Sequence, residues 1–191
     1  MNAHRLPLAV MIVACAAWIA TPAHAQHHRP PAPRHGGDFN PYFTLTDFQN
    51  NVEIDDESGL GFRFGYLVTP HHEIEFSING VGTEDRINPA IDVDVSNLQI
   101  GYLYNFTKGG VVPYVGAGLG VVHTDDSALG EETDQVLGLC GGVRLFLGPM
   151  FHLRFDYRYT RFEGDGVVYA NGLDVAIREY SFGVGWRVGI P

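Results

Sequence analysis

Residues 151–159 read FHLRFDYRY. Large apolar and aromatic side chains occupy the odd positions of this stretch, and His, Arg, Asp and Arg occupy the even positions. Such alternation is typical of a β-strand, whose successive side chains point to opposite faces. The same polarity recurs along the chain, with glycine or charge opposite the large residues. Because a narrow barrel has little room inside for large side chains, we interpret the apolar face as the lipid-facing surface of a transmembrane barrel.

The first 25 residues predict a secretory signal peptide. Arg5 precedes an apolar run at residues 8–20, and Ala23-His24-Ala25 fits a small-x-small cleavage site before Gln26. This run is shorter than the ~20 residues that a membrane-spanning helix needs. Export from the cytoplasm therefore follows from the N-terminal pattern.

Two other features belong to the N-terminal region. Ile12-Val13-Ala14 precedes Cys15 in the manner of a lipobox, which makes a lipoprotein signal the competing interpretation. Residues 26–38 are rich in Pro and His without periodicity, and they predict a flexible lead-in to a single barrel domain at 39–191. The histidines of this lead-in show no spacing that fixes a ligand geometry, so we predict neither a metal site nor a cofactor.

Charge and cysteine content narrow the range of functions. Without the segment that carries Arg5, the chain has 11 Lys plus Arg against 22 Asp plus Glu, a formal charge of −11. So acidic a chain is not expected to bind nucleic acid. Cys140 is then the only thiol, so no intrachain disulfide can form. Its place on the glycine side of a strand predicts a small interior residue rather than a nucleophile.

Eight segments show strand periodicity, and each approaches the ~9–11 residues that a tilted transmembrane strand needs. They predict an all-β fold, an eight-stranded antiparallel up-and-down transmembrane β-barrel. The predicted strands are Phe39–Phe48, Gly59–Val68, Glu73–Val81, Val95–Phe106, Val112–His123, Gln135–Leu147, Phe151–Phe162 and Val175–Val188.

The connections between these segments alternate in length. Those after the second, fourth and sixth strands are short, and the others are longer and polar, as at 124–134 and 163–174. Short periplasmic turns opposite long extracellular loops are typical of outer-membrane barrels. The pattern places both chain ends on the periplasmic side.

The fourth strand contains a change of parity. Its apolar residues lie on odd positions over 91–95 and on even positions over 98–106. We expect a β-bulge or a loop-to-strand transition near Ser96, because an extra residue would shift the later side chains to the other face.

Three stretches resemble the small eight-stranded outer-membrane barrels of the OmpA/OmpX-like superfamily. They are PYVGAGLG at 113–120, DYRY at 156–159 and the last strand, with Ser181, Gly183, Trp186 and Val188. These four residues are similar to the polar-x-Gly-x-x-aromatic-x-aromatic signal that the barrel assembly machinery reads, although Val188 replaces the final aromatic residue. The resemblance implies an integral protein of the Gram-negative outer membrane that contacts lipid and lipopolysaccharide.

The assignment of faces also predicts a polar lumen. An Arg that faces hydrocarbon near the bilayer midplane costs about 2–4 kcal/mol, so the charged residues must point inward. Five Arg against three acids can form a network that fills the barrel. Thr160, on the same face but nearer a loop, is expected to meet water. The predicted network comprises Arg63, Glu73, Glu75, Arg144, Arg154, Asp156, Arg158 and Arg187.

Acidic residues are concentrated near the predicted extracellular loops. They are either solvated and repulsive, or they bind divalent cations that bridge to anionic lipopolysaccharide. No loop has the spacing of an EF-hand. The acidic residues are Glu53, Asp55, Asp56, Glu57, Glu84, Asp85, Asp92, Asp94, Asp125, Asp126, Glu131, Glu132, Asp134, Glu163, Asp165 and Asp174.

The candidate residues for an enzymatic role are His123, Asp125 and Ser127, which share one face of an extended chain. Residues i and i+2 of a strand lie about 6.6–6.8 Å apart, too far for direct hydrogen bonds without a turn. We therefore expect no enzyme, with modification of lipid A the least favoured role. A structural or surface-interaction role with a polar-plugged lumen is favoured. The alternative is a narrow gated channel for ions or small solutes, because paired Arg and Glu could exchange partners.

Overall fold

The computed structural model describes residues 35–48, 56–84, 90–106, 109–164, 172 and 174–190. Eight antiparallel strands form one closed barrel, in which each strand pairs with its sequence neighbours and β1 closes onto β8. The predicted fold class is therefore confirmed. In the described part of the chain, no helix is long and apolar enough to cross a membrane. The strands are β1 His35–Phe48, β2 Glu57–Leu67, β3 His72–Glu84, β4 Asp92–Asn105, β5 Val111–Asp126, β6 Gly130–Phe146, β7 Phe151–Glu163 and β8 Asp174–Ile190.

The barrel begins earlier than the sequence pattern predicts. Gly36 and Gly37 pair with β2 on one side and with β8 on the other, so residues 35–38 belong to β1 rather than to a flexible lead-in. The backbone N–H and C=O groups there are satisfied by hydrogen bonds to the two flanking strands. A strand held by its backbone in this way does not need alternating apolar and polar side chains. The predicted signal peptide, the lipobox and the rest of the lead-in lie outside the described residues.

An apolar belt covers the outside of the barrel. On β4, Leu98, Ile100 and Tyr102 point outward and are between 38% and 53% exposed. On β7, Phe155 also points outward, and its ring centroid lies 5.0 Å from that of Phe182 on β8. A soluble protein rarely exposes so continuous an apolar surface, whereas a transmembrane barrel requires one.

The short connections at 68–71, 106–110 and 147–150 lie at the same end of the barrel as the start of β1 and the end of β8. At the opposite end, the prediction of a long loop at 124–134 was wrong. β5 and β6 continue to a tight turn at 127–129, where the Asp126 carboxylate accepts hydrogen bonds from the Ala128 and Leu129 amides at 2.8 and 2.9 Å. Gly130 follows with a φ of 105°, a conformation that favours glycine.

Neither the expected bulge nor the expected loop-to-strand transition occurs near Ser96, because β4 is continuous from Asp92 to Asn105. Its register runs without interruption from Asp92 opposite Glu84 to Tyr104 opposite His72 on β3, and the pairing with β5 is equally regular. The parity of the backbone does not change. Instead, the apolar side chains change face, so that Val93 and Val95 point into the barrel and are buried.

These valines belong to a buried cluster at the end of the lumen opposite the chain termini, the end that the connection lengths predict to be extracellular, and we call this cluster the apolar cap. At the same height the outward-facing residues are polar, for example Asp94, His123 and Gln135. Above the bilayer the outer surface of the barrel meets water, so the ordinary arrangement of a soluble protein returns, with apolar side chains inside. The apolar cap consists of Phe48, Val93, Val95, Val122, Val136, Phe162, Val175 and Ile177.

The assignment of the lipid face predicts the effect of adding a charge. Phe155→Arg places a guanidinium in the apolar belt and is expected to cost about 2–4 kcal/mol, whereas Gln135→Arg, above the belt, is expected to cost about 0–1 kcal/mol. Urea unfolding of the protein refolded into lipid vesicles measures both. Equal losses for the two variants would contradict the assignment of faces.

Candidate functional site

The polar lumen is the candidate functional site, and inward-facing glycines make room for it. A Cβ atom at Gly61 would lie 2.2 Å from the Tyr42 ring, and one at Gly142 would lie 2.5 Å from the Tyr114 hydroxyl. Each tyrosine ring therefore lies over the glycine with which it is paired on the neighbouring strand, Tyr42 over Gly61 and Tyr114 over Gly142. Their rings support guanidinium groups, with Arg63 centred 3.7 Å above the Tyr42 ring.

At the end of the lumen near the chain termini, Arg144 on β6 forms a two-pronged ion pair with Glu73 on β3. Its two terminal nitrogens each donate to a different carboxylate oxygen at 2.8 Å. Asn105 completes the group, because its carbonyl oxygen accepts from Arg144 at 2.8 Å and its amide donates to Glu73 at 3.2 Å. All three side chains are fully buried. Bidentate geometry of this kind is the strongest form of an Arg–carboxylate contact.

Glu75 is the centre of the network. Arg154 pairs with both of its oxygens, and Arg158 donates to Oε1 at 3.2 Å. Arg63 and Arg144 each have a nitrogen 3.9 Å from the same carboxylate. One buried carboxylate thus lies within 4 Å of four guanidinium groups from strands β2, β6 and β7.

Asp156 is the second shared carboxylate. It accepts a hydrogen bond from Arg154 at 2.9 Å, a longer one from Arg63 at 3.4 Å, and one from the Tyr114 hydroxyl. The same hydroxyl accepts from Arg154 Nε at 2.7 Å. Arg158 lies two residues beyond Asp156 on the same face of β7, and it donates to Ser77 at 2.6 Å and to Glu75 at 3.2 Å. The structure therefore brings all eight predicted network residues into one lumen.

Two acids of the lumen were missed by the sequence analysis. Asp38 accepts from Arg187 at 3.0 and 2.7 Å, and Glu179 accepts from Asn79 at 2.6 Å. Both share the inward parity of their strands, β1 and β8, and that parity was the available signal. With them the network has five guanidiniums and five carboxyl groups, so its formal charges balance.

Thr160 was wrongly expected to meet water. It is fully buried and accepts a hydrogen bond from Gln99 Nε2 at 3.1 Å. The reason is the apolar cap, since Thr160 lies opposite Ile177 and beneath Phe162.

Part of the acidic set also lies inside rather than on loops. Asp126, Glu132 and Asp134 point inward from the β5–β6 hairpin and are at most 5% exposed. The others that the structure describes with their side chains are exposed. In the described ranges, no three His, Cys, Asp or Glu side chains are grouped so that they could hold a metal ion.

The three candidate enzymatic residues, His123, Asp125 and Ser127, are spread along the β5–β6 hairpin. His123 points outward, and its Nδ1 lies 2.9 Å from the Thr133 hydroxyl. The Ser127 hydroxyl accepts a hydrogen bond from the Asp92 amide at 3.1 Å. Asp125 is exposed on the outer face. His123 and Ser127 therefore each contact groups on a neighbouring strand.

The lumen is nearly filled by this network. Arg144 and Glu73 are fully buried, and Arg154 is 1% exposed. A cavity of about 10 Å³ lies beside Cys140, between Glu75, Gln99 and Arg158, which is room for about one water molecule. Cys140 thus faces the interior, as its position among glycines predicted.

The four residues of the predicted assembly signal alternate across the barrel wall. Ser181 and Gly183 point into the lumen, where Ser181 accepts a hydrogen bond from Arg63 at 2.9 Å. Trp186 and Val188 point outward and are 38% and 51% exposed. Their recognition by assembly machinery stays a prediction.

A closed eight-stranded barrel with an apolar outside and a charged inside defines an integral outer-membrane protein. The family model described as the outer membrane protein beta-barrel domain matches residues 11–187. The chain belongs to this family. A search of curated protein sequences found no match.

Solved structures show the same fold. Neisserial surface protein A is 20% identical, with 81% of this chain and 97% of that chain covered and a TM-score of 0.57. The N-terminal barrel domain of Pseudomonas aeruginosa OprF is 14% identical, with 79% and 97% covered and a TM-score of 0.54. Ail of Yersinia pestis is 15% identical, with 81% and 99% covered and a TM-score of 0.53. At these identities the similarity concerns the fold.

The shared position of Glu75 leads to a stability prediction. Glu75→Ala leaves several buried guanidiniums without their common carboxylate, and breaking a buried pair in this way costs roughly 3–5 kcal/mol. Asp174→Ala is the matched control, because it removes the carboxylate of an exposed pair with Arg161. Urea unfolding should show a large loss for Glu75→Ala and no measurable change for the control. A Glu75→Ala protein as stable as the wild type would refute the central position of this carboxylate.

Proposed function

We propose that this protein is exported by its N-terminal signal and resides in the Gram-negative outer membrane as a structural and surface-interaction barrel. The observation that carries the proposal is the filled lumen, in which five guanidiniums and five carboxyl groups are buried against one another. A barrel without an open bore presents its extracellular rim as the surface available to partners.

The filled lumen disfavours passage of solutes. An ion that entered would have to displace pairs such as Arg144–Glu73, whose side chains are both fully buried. Separating a buried pair without replacing the lost partner is strongly unfavourable. Above the network, the buried side chains of the apolar cap add a second obstacle of packed atoms, with Asp126 opposite Val93 and Asp134 opposite Val122.

The extracellular rim is acidic, which favours cationic partners. On its outer face Asp94 lies directly opposite Asp125, and Asp125 lies opposite Glu131 on the next strand. Like charges opposite each other on a sheet are destabilising. Divalent cations would relieve this repulsion and could bridge the rim to lipopolysaccharide phosphates.

Two cations also lie on the outer face of the rim, and each has an acidic partner. Arg161 pairs with Asp174, and Arg178 lies 3.4 Å from Asp47. In the Ail structure the bound molecule is sucrose octasulfate, a heparin analogue. The acidic rim of the present chain would repel such a polyanion.

A narrow gated channel is the second candidate. Its support is the position of Glu75, which has four guanidiniums within 4 Å and could exchange one partner for another. Such an exchange would open a path only if the apolar cap also moved.

Planar-bilayer recording of the refolded mature protein separates the two candidates. We expect no stepwise currents in potassium chloride, because charge pairs and the apolar cap close the lumen. Heat-modifiable migration on gels is the control for folding, since a closed hydrogen-bonded barrel resists detergent until it is heated. Stepwise currents from folded protein, altered by Glu75→Gln, would establish the channel instead.

The acidic rim leads to a separate prediction about divalent cations. In nanodiscs that contain lipopolysaccharide, magnesium should raise the thermal unfolding midpoint of the wild type. The triple variant Asp94→Asn/Asp125→Asn/Glu131→Gln should lose most of this rise, because its facing carboxylates are neutral. Phosphatidylcholine nanodiscs are the control for a phosphate-rich glycolipid partner. The same magnesium effect in wild type and variant would exclude the rim as the site of bridging.

A further inference from the structure

Strand β6 is paired to different extents along its two edges. On one edge it pairs with β5 from Gly130, opposite Asp126, to Leu145. On the other edge its pairing with β7 begins only at Leu137, opposite Arg161. Within the described ranges of the chain, residues 130–136 therefore have a paired strand on one edge only.

The backbone groups that face the unpaired edge belong to alternate residues. The Ser127 amide donates to the Asp92 carbonyl at 3.1 Å, so odd-numbered residues at this end of β5 direct their N–H and C=O groups toward β4. Even-numbered residues of β5 direct theirs toward β6, where the residues opposite them are also even-numbered. The N–H and C=O groups of Glu131, Thr133 and Gln135 consequently point away from β5, toward the unpaired edge.

This edge lies beyond the apolar belt. Its outward side chains, those of Glu131, Thr133 and Gln135, are polar and exposed. On the inner face, Val136 belongs to the apolar cap. β6 has 17 residues, more than the ~9–11 that a tilted strand needs to cross a bilayer. The edge is therefore in water, and an exposed edge is a template for pairing with another chain.

A row of three carboxylates crosses the outer face and ends at this edge. Asp94 on β4 lies opposite Asp125 on β5, and Asp125 lies opposite Glu131 on β6. The outer-face salt bridges among the described residues involve other carboxylates, those of Asp174 and Asp47. The next position in the row, directly opposite Glu131, is the place of a residue on a strand added to β6.

We propose that the unpaired edge of β6 binds an extended segment of a partner protein that is rich in Lys or Arg, and that this segment adds to the sheet as an antiparallel strand. Backbone hydrogen bonds at Glu131, Thr133 and Gln135 supply affinity, as in other cases of strand addition. A cation opposite Glu131 supplies specificity, because opposite charges that face each other across strands are stabilising. This inference rests on the proposed surface-interaction role and names the class of partner.

A second copy of this chain fits the edge less well. Barrels inserted alike in one membrane have their β6 strands running in the same direction, so two such edges would meet as parallel strands. They would also bring two Asp94–Asp125–Glu131 rows side by side, and like charges facing each other on a sheet are destabilising. Charged side chains commonly protect exposed edges from self-association. The same carboxylates attract a cationic segment.

Amide hydrogen exchange, measured by NMR on the protein in phosphatidylcholine nanodiscs, tests whether the edge is open. The Glu131 and Thr133 amides should exchange at least about 10-fold faster than those of Glu132 and Asp134, which face β5. Equally slow exchange at all four amides would overturn the proposal, because the edge would already be covered. Slow exchange that appears only in nanodiscs with two barrels would assign the edge to a second copy instead.

Binding is tested with a fluorescent peptide of four Thr-Lys repeats, by anisotropy at low salt with EDTA. Opposite β6, a residue whose side chain lies beside Glu131 also directs its N–H toward β6. N-methylation of the Lys amides should therefore weaken binding about 10-fold or more, since several hydrogen bonds are lost. N-methylation of the Thr amides, which face away, leaves the charge the same and should change little. Equal effects of the two modifications would show charge attraction alone and overturn strand addition.

Variants of the edge give an independent measurement. Thr133→Pro removes an edge N–H that no described strand uses, and proline is tolerated at such positions. It should abolish binding of the peptide, whereas Thr133→Ala keeps the N–H and should bind like the wild type. Glu131→Gln should weaken binding several-fold. Heat-modifiable migration shows that each variant is folded, and if Thr133→Pro fails to fold, the two N-methylated peptides decide the proposal on the wild type.

Failure of this inference differs from failure of the proposed function. Stepwise currents from the wild type would contradict the closed surface barrel and leave peptide binding measurable. A folded, non-conducting barrel whose edge amides exchange rapidly but which does not bind the Thr-Lys peptide would overturn the strand-addition site and leave the surface role in place.

Discussion

The hydrocarbon core of a bilayer offers no hydrogen bonds, and this constraint governs the whole barrel. Every backbone N–H and C=O group must find a partner within the protein, which strands achieve only when the sheet closes on itself. β1 meets β8 along almost its full length and removes the open edges. The same absence of water expels charge from the outer surface. Closure of the sheet and the inward placement of charge thus both follow from the apolar hydrocarbon that surrounds the barrel.

The barrel responds to a change of solvent along its axis. Within the bilayer, apolar side chains point out and charges point in. Above it, Asp94 and His123 point out, while Val93, Val95 and Val122 point in. β4 passes through both regions with an unbroken register. One strand can therefore serve two environments by exchanging the chemistry of its two faces without any change in its backbone.

The lumen follows from this arrangement. Charges driven inward must neutralise one another in a confined space, and inward-facing glycines provide the room for guanidiniums to reach across the barrel. Arg144 and Glu73 lie on strands from opposite halves of the chain, as do Arg154 and Glu75. These bonds cross the lumen as well as neutralise it, so the polar interior also holds together the two halves of the barrel wall.

The sequence by itself determined the local properties of the chain. Alternation along 151–159 showed which face of β7 meets lipid, and the same pattern elsewhere predicted eight strands and all eight residues of the expected network. These features depend only on the two-residue period of a strand. Even Asp38 and Glu179 carried the right parity, although neither was recognised.

Only the tertiary structure decided which groups meet. The partners of Arg158, the burial of Thr160 and the tight turn at 127–129 depend on register and on what lies across the lumen. The change of parity in β4 was expected to be a bulge or a loop-to-strand transition, whereas the regular pairing with β3 and β5 shows that the apolar side chains exchange faces. Parity is a property of one strand, whereas contacts across a closed barrel depend on the register of all eight strands together.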